Sequence, residues 1–218
     1  MRPAISKSRK IPVILICLAA LRFALSSHAG EDMEDLIDIV ESKSEIIAII
    51  QGKKTVSIDL QTDEKVLWSG SKGDLGAALT PSRFLTISPS SNGWRSLPLK
   101  LEESKEASAS LSSDIALLST RNRVAAFDAA SSRFVETPIP LHDERIAAKA
   151  DTHIAVAVTS SRALALATGN SSFSKIRLGL RETIGSIKTA SGKAMVRTSD
   201  RLLIFEAQRA SWNERRLD

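Results

Sequence analysis

The chain has 218 residues, enough to bury a full core, with 30 basic and 25 acidic side chains and one cysteine. Five of the basic residues (Arg2, Lys7, Arg9, Lys10, Arg22) and the cysteine, Cys17, fall within the first 29 positions, so the remainder balances at 25 against 25 and carries no thiol. That balance removes the electrostatic case for nucleic-acid binding, and the missing thiols exclude a disulfide framework.

Residues 1–29 have the layout of a secretory signal peptide. A basic start is followed by an apolar run over 11–21, and Ser27-His28-Ala29 gives a small-x-small cleavage site before Gly30. The run is short of the about 20 apolar residues that span a bilayer. Ile16 ahead of Cys17 does not fit a lipobox. The expected organisation is a signal peptide over 1–29 and one repeat domain over 30–218, with no later membrane-crossing stretch.

Residues 36–40 read as a first strand. Residues 45–51 (EIIAIIQ) form a continuous β-branched run, expected to be a strand buried on both faces. Residues 55–59 alternate as a half-buried strand should, and 65–68 read as another strand. Together they make a variant repeat copy with Lys54 in the key basic position. From there a regular frame runs through the chain. It reads Gly76, Thr80, Arg83, Ile87, Trp94, Leu99; then Ala116, Thr120, Arg123, Phe127, Phe134, Ile139. It recurs as Ala155, Thr159, Arg162, Leu166, Phe173, Leu178, and as Ala194, Thr198, Arg201, Phe205, Trp212, Leu217. The arginines stand 40, 39 and 39 residues apart, whereas Lys54 precedes Arg83 by only 29, which implies a lost strand. Residues 100–113, the most polar stretch, are expected to be an exposed insertion.

Four short β-branched runs per period of about 40 residues, joined by Ser, Asn, Asp and Gly, predict an all-β chain of the β-propeller class. About five four-stranded blades are expected, with closure of the ring left open. Within a blade, the small residue lets strands pack closely and the aromatics fill the space between blades. The arginines are expected at solvated turns.

Candidate chemistry is sparse. His142-Asp143-Glu144 and Asp151-Thr152-His153 put two histidines among carboxylates, but a metal needs three or more converging ligands. No Gly-x-Ser-x-Gly elbow is present. Arg83, Arg123, Arg162 and Arg201 could form an anion-binding ring, and Trp68, Trp94 and Trp212 could stack a quinone; turn and packing roles are the simpler expectation for both sets. The reading is of a non-enzyme with no catalytic, cofactor or metal residues. Asn170-Ser171-Ser172 is an N-glycosylation sequon.

Residues 56–68 resemble a quinoprotein-type propeller repeat, V-x-x-L-D-x-x-T-G-x-x-x-W, with one extra residue and Asp63 where glycine is usual. Residues 46–68, Ser119-Thr120-Arg121 with Thr137-Pro138-Ile139, and 194–205 with Trp212 and Glu214 resemble blades of the lumenal propeller region in the ER membrane protein complex subunit 1 family. That resemblance implies a truncated or divergent lumenal propeller. It would be a non-catalytic scaffold supporting membrane protein insertion and folding, with other subunits of a membrane-bound complex as partners. Members of that family are longer, hold two propellers and end in a membrane anchor. The alternative is an independent secreted or periplasmic quinoprotein-like propeller, acting as a binding or redox module. Either way, ends that cannot pair would make the chain self-associate.

Overall fold

The computed structural model describes residues 35–52, 54–190 and 192–217; the expected signal peptide lies outside them. The described residues hold nineteen strands, all antiparallel within their sheets, and no α-helix. They form a propeller-type series of five sheets laid out in chain order. Sheet 1 contains β1 (Ile37–Glu41), β2 (Glu45–Ile50) and β3 (Lys54–Asp59). Sheet 2 contains β4 (Trp68–Lys72), β5 (Leu75–Leu79), β6 (Arg83–Ile87) and β7 (Arg95–Pro98). Sheet 3 is β8 (Ser108–Leu111), β9 (Ile115–Ser119), β10 (Arg123–Asp128) and β11 (Arg133–Pro138). Sheet 4 is β12 (Arg145–Asp151), β13 (Ile154–Thr159), β14 (Arg162–Ala167) and β15 (Ser174–Arg177). Sheet 5 is β16 (Ile184–Ala190), β17 (Lys193–Thr198), β18 (Arg201–Glu206) and β19 (Ser211–Arg216).

Each seam between successive sheets is a hydrophobic cluster. Leu75, Ala77 and Phe84 meet Ala116, Leu118 and Phe127 between sheets 2 and 3. Ile115 and Leu117 meet Ala155 and Ala157 between sheets 3 and 4, and Val156 meets Val196 and Phe205 between sheets 4 and 5. The second strands of sheets 2, 3 and 4 are buried along their whole length because both faces are covered. Sequences that mix small and branched residues, such as LGAAL and IAVAVT, suit this position: small residues bring sheets close while the branched ones fill the seam. A close approach is made at Gly76, where an added Cβ would lie 2.8 Å from Ile39 Cδ1 and 3.0 Å from Ile37 Cγ2.

Several sequence expectations are corrected. β2 is not buried on both faces: Ile46, Ala48 and Ile50 face sheet 2, while Ile49 is exposed. Trp68 opens sheet 2 rather than closing sheet 1. Residues 100–113 are no insertion, because they contain the buried Glu103 and all of β8. Residues 146–149, which by spacing would follow 134–139 as the fourth strand of its repeat copy, instead open sheet 4 within β12.

The phase of the first copy also changes. In sheets 2 to 5 the arginine opens the third strand and a threonine three residues earlier closes the turn. In sheet 1 the same turn is made by Ser42 and Glu45, with the Glu45 N–H donating to Ser42 Oγ at 3.1 Å. Glu45, not Lys54, is therefore the frame position, and it precedes Arg83 by 38 residues. No strand is lost between the first two copies; sheet 1 instead shows three of its strands among the described residues. Asp63, in the usual glycine place, has φ +63°, a left-handed conformation that Asp tolerates better than most side chains.

Candidate functional site

The turn entering each third strand builds a polar station on one rim of the molecule. Thr198 Oγ1 accepts the Arg201 N–H at 3.0 Å and donates to Glu182 Oε1 at 2.6 Å. Arg201 grips the same carboxylate in bidentate fashion, Nε to Oε1 at 2.9 Å and an Nη to Oε2 at 3.0 Å. The Gly179 N–H, three residues before Glu182, donates to the carboxylate at 2.7 Å. A further guanidinium hydrogen bond reaches the Arg177 carbonyl of β15 at 2.6 Å, so the arginine ties its own sheet to the preceding one. Glu64, Thr80 and Arg83 repeat the arrangement with the Asp59 carbonyl. At Glu103, Thr120 and the Pro98 carbonyl keep their places, but Arg123 holds the carboxylate through one Nη alone, and its Nε is buried without a hydrogen-bond partner among the described residues.

The third station is a reduced version. Asp143 pairs with Arg162 at 3.1 Å and with Thr159 at 3.2 Å. Pro140 stands where the other turns supply a backbone N–H, and Asp is one methylene shorter, so a bidentate grip is replaced by a single contact.

The carboxylates at these stations are nearly sealed, with side-chain exposures of 3 % for Glu64, 1 % for Glu103 and 2 % for Glu182. Burial works against ionisation of Glu64. Hydrogen bonds from Arg83, the Gln61 amide, Ser82 and Thr80 outweigh it and lower its pKa to about 2. Glu182 is also lowered to about 2, chiefly by Arg201, against burial and with help from Thr198 and Gly179. The same partnership raises the pKa of Arg201. The arginines are thus partners of buried acids and not solvated turn residues, and the hydrogen bonds they make go to protein acceptors rather than to a shared anion site. The carboxylates lie outside the frame read from the sequence. Their signal was an acidic residue 19 or 20 positions before each arginine.

The same linkers carry a second repeated feature. Leu101, Leu141 and Leu180 each stand two residues before a station carboxylate, with exposures of 90 %, 85 % and 108 %. Leu101 and Leu141 flank one cleft of about 530 Å³ with Arg121 and Asn122. A large aliphatic side chain at full exposure three times in equivalent turns is a patterned apolar surface, not a scattered one.

The other sequence candidates are dispersed. His142 lines a cleft with Glu144 and Arg145, while His153 lines different ones and sits 2.5 Å from Asp114 through Nδ1. Among the described residues no three His, Cys, Asp or Glu side chains are grouped to hold a metal. Trp94 and Trp212 donate through Nε1 to the Val56 and Ser174 carbonyls of the preceding sheets. Trp68 packs at the seam of sheets 2 and 3. The three tryptophans occupy three different seams and do not stack on one another. Asn170 lies in the hairpin loop between β14 and β15, partly exposed, with its N–H bonded to the Ala167 carbonyl. No helix among the described residues is long and apolar enough to cross a membrane.

No family model and no curated protein matches the chain. Among solved structures it is similar to Hsv2 of Kluyveromyces lactis, at 8 % identity and a TM-score of 0.40, over 85 % of this chain and 74 % of that one. It is similar to YCF48 from Cyanidioschyzon merolae, at 11 % identity and a TM-score of 0.39, over 85 % and 73 %. It is also similar to apo AztD from Citrobacter koseri, at 16 % identity and a TM-score of 0.42, over 84 % and 60 %. None of these likenesses bears on function, and the propeller assignment rests on the chain's own strand order and register.

Proposed function

We propose that this protein is a non-catalytic scaffold that holds a protein partner along its leucine-bearing rim. The observation that carries the reading is the row Leu101, Leu141 and Leu180, each essentially fully exposed and each at the same place in its repeat. Rigid stations directly behind them fix their spacing, since every leucine-bearing turn is tied down by its buried carboxylate. Flanking charges of both signs (Lys100, Glu102, Arg181) suit a mixed protein surface. The signal-peptide pattern of residues 1–29 suggests the secretory pathway, the sequon at Asn170 a glycan acceptor there, and the resemblance noted in the sequence other subunits of an ER membrane protein complex as partners.

The test is affinity purification from mildly solubilised membranes of the source cell, comparing the native chain with a Leu101→Ser, Leu141→Ser, Leu180→Ser variant. The native chain should start at Gly30, carry a glycosidase-sensitive glycan and bring down subunits of that complex. The triple variant should keep its melting temperature and lose the partners. Equal recovery of partners by both chains would remove the leucine rim from the function. A chain that recovers no membrane-complex subunit would end the scaffold assignment.

A further inference from the structure

Among the described residues nothing covers one face of sheet 1 and one face of sheet 5, and the two faces match. On sheet 1 the open face carries Val40, Ile47 and Ile49, with Asp38, Glu45 and Asp59 around them. Val40 and Ile49 are 45 % and 43 % exposed. Glu45 and Asp59 lie directly opposite each other in the register, a like-charge pair that costs stability unless a cation sits over it. On sheet 5 the open face carries Met195, Leu202 and Ile204, ringed by Lys188, Lys193, Arg197 and Arg215. Lys193 is partly spoken for by Glu206 at 3.2 Å, which leaves the face basic overall. Among the described residues no hydrophobic cluster joins sheet 5 to sheet 1 of the same chain.

We propose that two copies of this chain dock head to tail, sheet 5 of one on sheet 1 of the other, by the packing rule already used at the internal seams. At the seam of sheets 1 and 2, Gly76 rests against Ile37 and Ile39, and Ile87 clusters with Ala48 and Ile50. The frame equivalent of Gly76 in sheet 1 is Asp38, and those of Ile37 and Ile39 in sheet 5 are Lys193 and Met195. Docking by the same rule places Asp38 of one copy beside Lys193 of the other. The equivalents of Ile87 and Ala48 are Ile49 and Ile204, which meet as an apolar pair. Leu85 with Ile46 becomes Ile47 with Leu202. At the positions where internal seams carry small or apolar side chains, the terminal faces carry charges, and the charges are of opposite sign. This contact is heterologous, so it closes into a ring or continues as a filament according to its rotation. It uses neither the leucine rim nor any of its partners.

Size-exclusion chromatography with light scattering on the 218-residue chain tests the proposal. One variant blocks the sheet 1 face (Asp38→Lys with Ile49→Lys), and another blocks the sheet 5 face (Lys193→Glu with Ile204→Glu). Circular dichroism checks that both remain folded. The native chain should associate at micromolar concentration, and more weakly in high salt. Each blocked variant should lose affinity by roughly a hundredfold or more, as several kcal/mol of like-charge contact implies. An equimolar mixture of the two should associate again, because it holds one intact copy of each face and the two altered faces are themselves opposite in charge. A native chain that stays monomeric overturns the proposal, as closure within one chain would produce. So does either blocked variant pairing with itself, or a mixture that stays monomeric. The leucine-rim variant should associate like the native chain, which separates this test from that of the scaffold reading.

Discussion

Arg201 and its equivalents show how far a single side chain can differ from what its neighbourhood in sequence suggests. The spacing Thr-x-x-Arg reads as a hairpin turn with a solvated cation, because the turn is local and the acid is not. The partner lies across a linker, 19 residues before Arg201 and 20 before Arg123. Arg123→Ala would leave Glu103, 1 % exposed, as an uncompensated buried charge. It should cost about 3–5 kcal/mol, the range for breaking a buried pair, whereas Leu101→Ser on the exposed turn should stay within about 0.5 kcal/mol. Urea denaturation of the two variants compares them; equal small losses would return the arginines to the surface role. The stations also set an acid limit. Glu64 and Glu182 have folded pKa values of about 2, below the 4.5 of a free glutamate. Their contribution to stability is therefore complete above about pH 4.5 and is lost as pH falls through about 2. Denaturation midpoints should decline across that interval, and Glu182→Gln should lower the midpoint at pH 7 while flattening the decline. An unchanged slope in the variant would mean that the acid limit lies elsewhere.

Strands were legible wherever β-branched or alternating residues formed runs of four to six, as in Ile115–Ser119 and Ile154–Thr159. β8 was not, because Ser108–Leu111 is polar and lies directly after a charged turn; only its partner β9 makes it a strand. The phase of the first copy is hidden in the sequence for a related reason. The frame is keyed to a basic residue, and sheet 1 puts Glu45 in that place, so Lys54, at the head of the alternating run 55–59, draws the register nine residues too late. The frame's aromatics were read as uniformly buried; Phe173 is, but Trp94, Phe134 and Trp212 are only partly so. The sealed aromatics are Phe84, Phe127 and Phe205. Phe127 also meets Phe134 edge-on at 5.1 Å across its own sheet, in contact with Phe84 of the preceding one. Phe127→Ala should therefore cost about 3–5 kcal/mol, more than Trp212→Ala. At the seam of sheets 1 and 2, Gly76→Ala should destabilise by about 1–3 kcal/mol through overpacking against Ile37 and Ile39. Thermal melts of the three variants give the ranking, and a neutral Gly76→Ala would show that sheet 1 can move away from sheet 2.

At the scale of the molecule, five sheets in a row behave as a series of neighbours in which each seam stabilises two members. Stability in such arrays is a sum of unit terms and nearest-neighbour terms, so it is not uniform along the chain. Sheets 2, 3 and 4 each have two seams, and their second strands are buried throughout. Sheets 1 and 5 each have one seam among the described residues, and their open faces leave β1, β3 and β19 largely exposed. Native-state hydrogen exchange should accordingly show the slowest amides in β9, β10, β13 and β14, with protection falling outward to β1–β3 and β16–β19. The proposed head-to-tail contact makes a second, concentration-dependent demand on the same measurement. Docking supplies each terminal sheet with the seam it lacks, so protection in β2 and β17 should rise with protein concentration while that in β9 and β13 stays fixed. The variant with Asp38→Lys and Ile49→Lys should lose that dependence. Uniform protection along all five sheets at low concentration would mean that the array unfolds as one cooperative unit, its end sheets as secure as its centre.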